Sequence, residues 1–170
     1  MKKYFTYLVL VRAVLLLLIP MTGNAAVAIQ PGIGGAWYNT TESGHGFILN
    51  VSEKDGQLTL LATWYVYDND GNQMWLVGSA PFEQGATSIT MPVIVTEKLQ
   101  FDNLGGGGLL ELAWGSLDFE FSTCDEGLVT YNPNPNAGFA AGTTTIQRLT
   151  NTAKVLCTDV PNNTQDPGNH

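Results

Sequence analysis

Leu58-Thr59-Leu60-Leu61-Ala62-Thr63-Trp64-Tyr65-Val66-Tyr67-Asp68 runs into Asn69-Asp70-Gly71-Asn72 and out through Gln73-Met74-Trp75-Leu76-Val77-Gly78. Alternation separates Leu58, Leu60, Ala62, Trp64 and Val66 from Thr59, Leu61, Thr63, Tyr65 and Tyr67, a period of two that belongs to a strand and not to a helix. Both sets carry bulky groups. The first is the more uniformly apolar and is expected to face a core, while the second, rich in hydroxyls and rings, suits a groove or a ligand-bearing surface. Gly71 supplies the positive φ that a tight turn between two strands requires. The same punctuation recurs at Lys54-Asp55-Gly56-Gln57 and at Glu83-Gln84-Gly85-Ala86, so the stretch is one hairpin of a series.

Working outward, strands are expected over 47–53, 58–68, 73–82, 87–97, 109–114, 117–123, 128–131 and 142–149. Leu117, Phe119 and Phe121 alternate with Asp118, Glu120 and Ser122, a strand with one apolar and one solvated face. The expected fold is all-β, an antiparallel meander of about eight strands closed as a barrel or a tightly rolled sandwich, since open edges invite aggregation. Pro92 inside a strand-like run implies an edge or a bulge. The glycine run at 104–109 and the Asn-Pro stretch at 132–138 are expected to be irregular, and 159–170 to be a disordered polar tail.

The N-terminus has the order of a secretory leader: Lys2 and Lys3, then an apolar stretch from Tyr4 to Ile19, then Gly23-Asn24-Ala25-Ala26. Residues 1–25 are read as a signal peptide, interrupted by Arg12 and short for a membrane span, and 26–158 as a single β-domain. The 170 residues hold 15 Asp and Glu against 7 Lys and Arg, and three of those basic residues lie in the leader. So acidic a chain repels phosphate backbones, and nucleic acid is excluded as a partner, as is membrane insertion once the leader is gone. Export to an oxidising space makes a Cys124–Cys157 disulfide the default reading of the two cysteines. The expected location is secreted or periplasmic.

Two resemblances follow from particular residues. Gly35-Ala36-Trp37-Tyr38-Asn39, Ser43-Gly44-His45-Gly46-Phe47, Trp64-Tyr65-Val66-Tyr67-Asp68, Gly71-Asn72-Gln73-Met74-Trp75, Trp114-Gly115 and Arg148-Leu149 together resemble a family of exported β-rich domains of proteobacteria that has no assigned activity. That likeness covers nearly the whole chain after the leader and implies secretion, β structure and the disulfide. A shorter one, over 32–59, is similar to the opening hairpin of the avidin and streptavidin barrels. It maps that family's ligand-binding Asn and Ser onto Asn39 and Ser43, with two extra residues between Ser43 and Phe47 and no match beyond Thr59.

Chemistry-bearing residues are few. Ser43, His45 and Glu42 invite a triad reading, but groups so close in sequence rarely reach the required geometry, and no Gly-x-Ser-x-Gly elbow is present. Asp68-Asn69-Asp70-Gly71-Asn72 has the alternating oxygens of half a calcium loop, yet an apolar Val77 stands where an EF-hand needs its bidentate Glu. A plain hairpin is the expectation there, with weak calcium binding by Asp68 and Asp70 left open. Glu111, between Leu110 and Leu112, is the acid to test for a raised pKa, without a second carboxylate as its partner. No catalytic residue, metal site or cofactor is expected. The expected function is an exported, non-catalytic β-domain that binds a small ligand, glycan or protein partner through Asn39, Ser43, Tyr65, Tyr67 and Trp75. The alternatives are a structural or interaction module of the cell envelope, and a hydrolase using Glu111 or His45.

Overall fold

In a computed structural model that describes residues 26–97 and 110–159, eight strands close into an antiparallel meander barrel. They are β1 (Gly35–Tyr38), β2 (Gly46–Lys54), β3 (Gln57–Tyr67), β4 (Gln73–Phe82), β5 (Ser88–Glu97), β6 (Leu110–Phe121), β7 (Glu126–Pro133) and β8 (Gly142–Arg148). Each strand pairs with the next, and β8 returns to β1. The signal-peptide reading, the glycine run at 104–109 and the tail from 160 onward lie outside the described residues. Asp159, placed by the sequence at the start of that tail, accepts a hydrogen bond from the Cys124 N–H.

Three strands differ from the sequence expectation, and β7, expected over 128–131, runs over Glu126–Pro133 and takes in Asn132 and Pro133 from the stretch expected to be irregular. β1 is four residues long, too short for its alternation to register, and Trp37 is its one fully buried side chain. The segments expected at 109–114 and 117–123 form the single strand β6. Gly115 pairs with Val93 and Ala113 with Ile94, so the register shifts there and Trp114 is the extra residue of a bulge. That bulge directly follows Pro92, which contributes no N–H to either neighbouring ladder. Gly115 is needed there because a Cβ would overlap the Asn132 carbonyl on β7.

The barrel interior is the core. Leu60, Ala62 and Trp64 of β3 face inward with Phe47 and Leu49 of β2, Leu76 of β4, Met91 and Val93 of β5, and Leu117, Phe119 and Phe121 of β6. This is the side that the β3 alternation assigns to the core. An eight-stranded barrel is just wide enough for side chains to fill it, and apolar ones do so here. Among the described residues no helix is long and apolar enough to cross a membrane.

The two poles differ. At one, residues 26–34 enter as a plug: Val27 donates to the Phe121 carbonyl, Ile29 to that of Ala86, and Val27, Ile29 and Ile33 are buried. The Cys124–Cys157 disulfide brings the C-terminal segment beneath this plug, where the Gln30 amide clamps Thr158, donating to its carbonyl at 3.0 Å and accepting from its N–H at 3.2 Å. At the other pole no described segment enters as a plug, and the cleft described next lies there.

Pairing is uneven around the wall. Within β1–β4 and within β5–β8 neighbouring strands pair at four to ten positions, whereas β4 meets β5 at three and β8 meets β1 at two. Pro81 and Pro92 both lie on the β4–β5 side, where ladder pairing ends at Gly78↔Val93.

Candidate functional site: an aromatic cleft at the open mouth

The cleft follows from where the interior packing stops. At this pole the last inward side chains among the described residues are Trp64 of β3, Met74 of β4, Trp114 of β6, Tyr131 of β7 and Thr144 of β8, and they line a space of about 250 Å³. Phe139, from the loop between β7 and β8, packs its ring 5.7 Å from that of Trp114. Trp64 and Trp114 meet edge to face at 5.8 Å, and Tyr131 tilts against Trp64 at 5.5 Å. Edge-to-face and tilted pairs are the favoured geometry for ring quadrupoles, so these rings hold one another in place.

The polar groups of the cleft are more informative. The Trp37 indole N–H, deep in the barrel, donates to the Ile33 carbonyl at 2.9 Å. Trp64 and Trp114, at 6% and 4% exposure, have buried indole N–H groups with no hydrogen-bond acceptor among the described residues. Buried donors are nearly always paired, because leaving one unpaired costs about 1–3 kcal/mol. Both indoles belong to residues that line one cleft, and the described residues supply neither N–H with an acceptor.

The rim adds acceptors and one carboxylate–imidazole contact. Thr144 is buried at the base of the rim and accepts from the Asn39 amide at 2.9 Å. The Asn39 carbonyl oxygen in turn accepts from the Thr41 N–H and hydroxyl, fixing the loop that carries Glu42 and His45. Glu42 lies 3.6 Å from His45 Nε2, and both border the cleft. Asn69, on the β3–β4 turn, donates to the Gly138 carbonyl at 2.8 Å and so ties that turn to the Phe139 loop across the mouth.

No family model, curated protein or solved structure matches the chain. The reading of the site therefore rests on its geometry.

The residues singled out in the sequence fall in three places. Asn39 reaches the mouth through Thr144, and Tyr67 lies on the rim. Tyr65 and Trp75 are cross-strand partners on the outer wall, 46% and 56% exposed, with ring centres 6.4 Å apart. Ser43 is exposed in the β1–β2 loop, and among the described residues no hydrogen bond joins it to His45. Glu111 lies in β6 paired with Thr96, and its side chain is outside the described set. The Asp68 turn is a hairpin turn in which the carboxylate is already engaged: Oδ1 accepts from the N–H groups of Asp70 and Asn72, and Oδ2 from the Asn72 amide. Those bonds, led by the Asn72 side chain, hold the Asp68 carboxyl below the ordinary aspartate value. Among the described residues no cluster of three metal-ligating side chains occurs. The sequence reading missed Trp114, Tyr131, Phe139 and Thr144 as site residues, because alternation shows which side a residue faces but not how far along the barrel axis it lies.

Proposed function

We propose that this protein is an exported, non-catalytic β-barrel that binds a small ligand in the aromatic cleft at its open mouth. The observation that carries the reading is that Trp64 and Trp114, both lining the cleft, have buried indole N–H groups with no partner among the described residues. A largely apolar concavity with a few convergent polar groups is the usual form of a small-ligand site. The disulfide and the leader-like N-terminus support export. Support for binding over hydrolysis comes from Glu42, the one carboxylate lining the cleft among the described residues, where glycoside hydrolysis uses two.

The test is nitrogen-resolved NMR of the four tryptophan indole N–H groups, assigned by Trp→Phe variants, against a library of neutral fragments that includes simple monosaccharides. Binding in the cleft moves the Trp64 and Trp114 signals together and leaves Trp37 still. If no fragment moves that pair, the proposal fails.

An interaction module is the second reading. Ile48, Leu61, Trp75 and Val77 are exposed on the outer wall of β2–β4, and exposed apolar groups that adjoin one another are the usual mark of a protein contact.

A further inference from the structure

The cleft at the mouth does not end at the rim. A second depression, of about 350 Å³, runs down the outer wall between the ends of β3 and β4, floored by Tyr65, Gln73 and Trp75 and bordered by Gly44. It shares Val66, Tyr67 and Met74 with the mouth cleft. Rings therefore continue from the solvent-exposed Trp75 and Tyr65, past Tyr67, to the buried Trp64 and Trp114. Gly44 holds a positive φ of 97° beside the Tyr67 ring, a conformation that disfavours a side chain there.

Three properties of this path restrict what fits it. None of the residues lining the outer depression is charged, and the chain as a whole carries a net charge of -8, so an anionic ligand gains nothing there. The inner end offers donors, the two indole N–H groups, and acceptors, the Thr144 hydroxyl and the Glu42 carboxylate. A ligand that uses all of them needs hydroxyl-like groups that both donate and accept. The outer end offers flat ring faces beside phenol and amide groups, which suits a ligand with an apolar face and a polar edge.

We infer that the site is extended and takes a neutral oligosaccharide, with its terminal sugar in the mouth against Trp64 and Trp114 and the following sugars on Tyr65 and Trp75. The inference rests on the mouth-cleft reading above and adds both the ligand class and the outer subsites. A protein partner would engage Ile48, Leu61 and Val77 together with Trp75, whereas a glycan would engage Tyr65 and Trp75 along the depression that joins the mouth cleft.

The test compares glucose, N-acetylglucosamine, mannose and galactose with their neutral tetrasaccharides, by calorimetric titration and by the tryptophan indole signals. At least one tetrasaccharide should bind about tenfold or more tighter than its monosaccharide, the gain that a single well-made ring contact can supply. It should also move the Trp75 signal along with those of Trp64 and Trp114. Trp75→Ala, at an exposed position, should abolish the gain with chain length while leaving the melting temperature and the fragment-induced shifts at Trp64 and Trp114 unchanged. Fragments that shift Trp64 and Trp114 without any gain from chain length would overturn the extended glycan site and leave the mouth cleft standing. A gain that survives Trp75→Ala, or that leaves Trp64 and Trp114 unmoved, would overturn it too and reassign the outer rings to a protein partner. Silence of every tryptophan signal would remove both readings.

Discussion

The Arg148 guanidinium lies 5.0 Å from the centre of the Trp37 ring, at one of the two positions where β8 pairs with β1. The same group donates to the Gly32 carbonyl of the plug and to Asn151, and Asp125 lies 3.1 Å from its Nε, out of line for a hydrogen bond. Burial lowers the Arg148 pKa while Asp125 and Asp159 act in the opposite sense. One side chain thus joins wall, plug and C-terminal segment. Arg148→Met should destabilise the barrel by about 2–3 kcal/mol, from the lost bond to Gly32 and the lost cation–ring contact. Arg148→Lys should recover less than half of that, because an ammonium cannot reproduce the planar fork. Urea midpoints of the three proteins check both values.

Cys124→Ser with Cys157→Ser removes a link across 33 residues. The chain-entropy model gives a loss of about 3–4 kcal/mol. The double variant should melt well below the parent, and adding reductant to the parent should reproduce its midpoint.

Trp64→Ala deletes a ring packed against Phe47, Trp114 and Tyr131 and should cost about 3–5 kcal/mol. Tyr65→Ala, one residue on but facing solvent, should stay within about 1 kcal/mol. The reverse order of midpoints would contradict the inward and outward faces of β3.

Gly35 and Gly71 both hold positive φ, at 137° and 83°, but only Gly35 is also crowded, with a Cβ falling on the Thr150 carbonyl. At Gly71 a Cβ meets nothing within 4 Å. Gly71→Ala should therefore cost about 1 kcal/mol from backbone strain alone, and Gly35→Ala at least twice that. Equilibrium denaturation of the two variants separates strain from collision.

Asp68 is held below the ordinary 3.8 by the bonds that Asn72 and its neighbours donate. A carboxyl depressed in the folded state contributes stability above its unfolded value and loses it as pH falls through the folded one. Asp68→Ala should be less stable than the parent at neutral pH, and the gap should close below about pH 4. Denaturant midpoints measured across that range test the sign.

How much of this was legible in the sequence depended on what alternation encodes. The β3–β4 hairpin, the turn glycines and the pairing of Cys124 with Cys157 follow from residue pattern and count. Pro92 marked the bulge beside it. The short β1 and the continuity of β6 were hidden, one by its length and the other because Gly115 serves a close strand approach and not a turn. The mouth was hidden for another reason. Trp64 and Trp114 are core residues by pattern, and pattern does not show that their N–H groups lack partners among the described residues or that both line a cleft.

The short seams at β4–β5 and β8–β1 have a consequence for how the molecule comes undone. With three and two paired positions against four to ten elsewhere, they split the wall into two four-stranded blankets stitched along opposite margins. The least costly opening parts one seam and pivots on the other, so amide exchange should begin along these margins and not in the β2–β3 hairpin. At the β8–β1 seam the Ala36 N–H reaches the Thr150 hydroxyl across 114 residues, a separation whose loop-closure cost slows the pairing. Until it forms, β1 and β8 are bare edges, and two chains meeting in that interval can trade blankets and close as an exchanged pair.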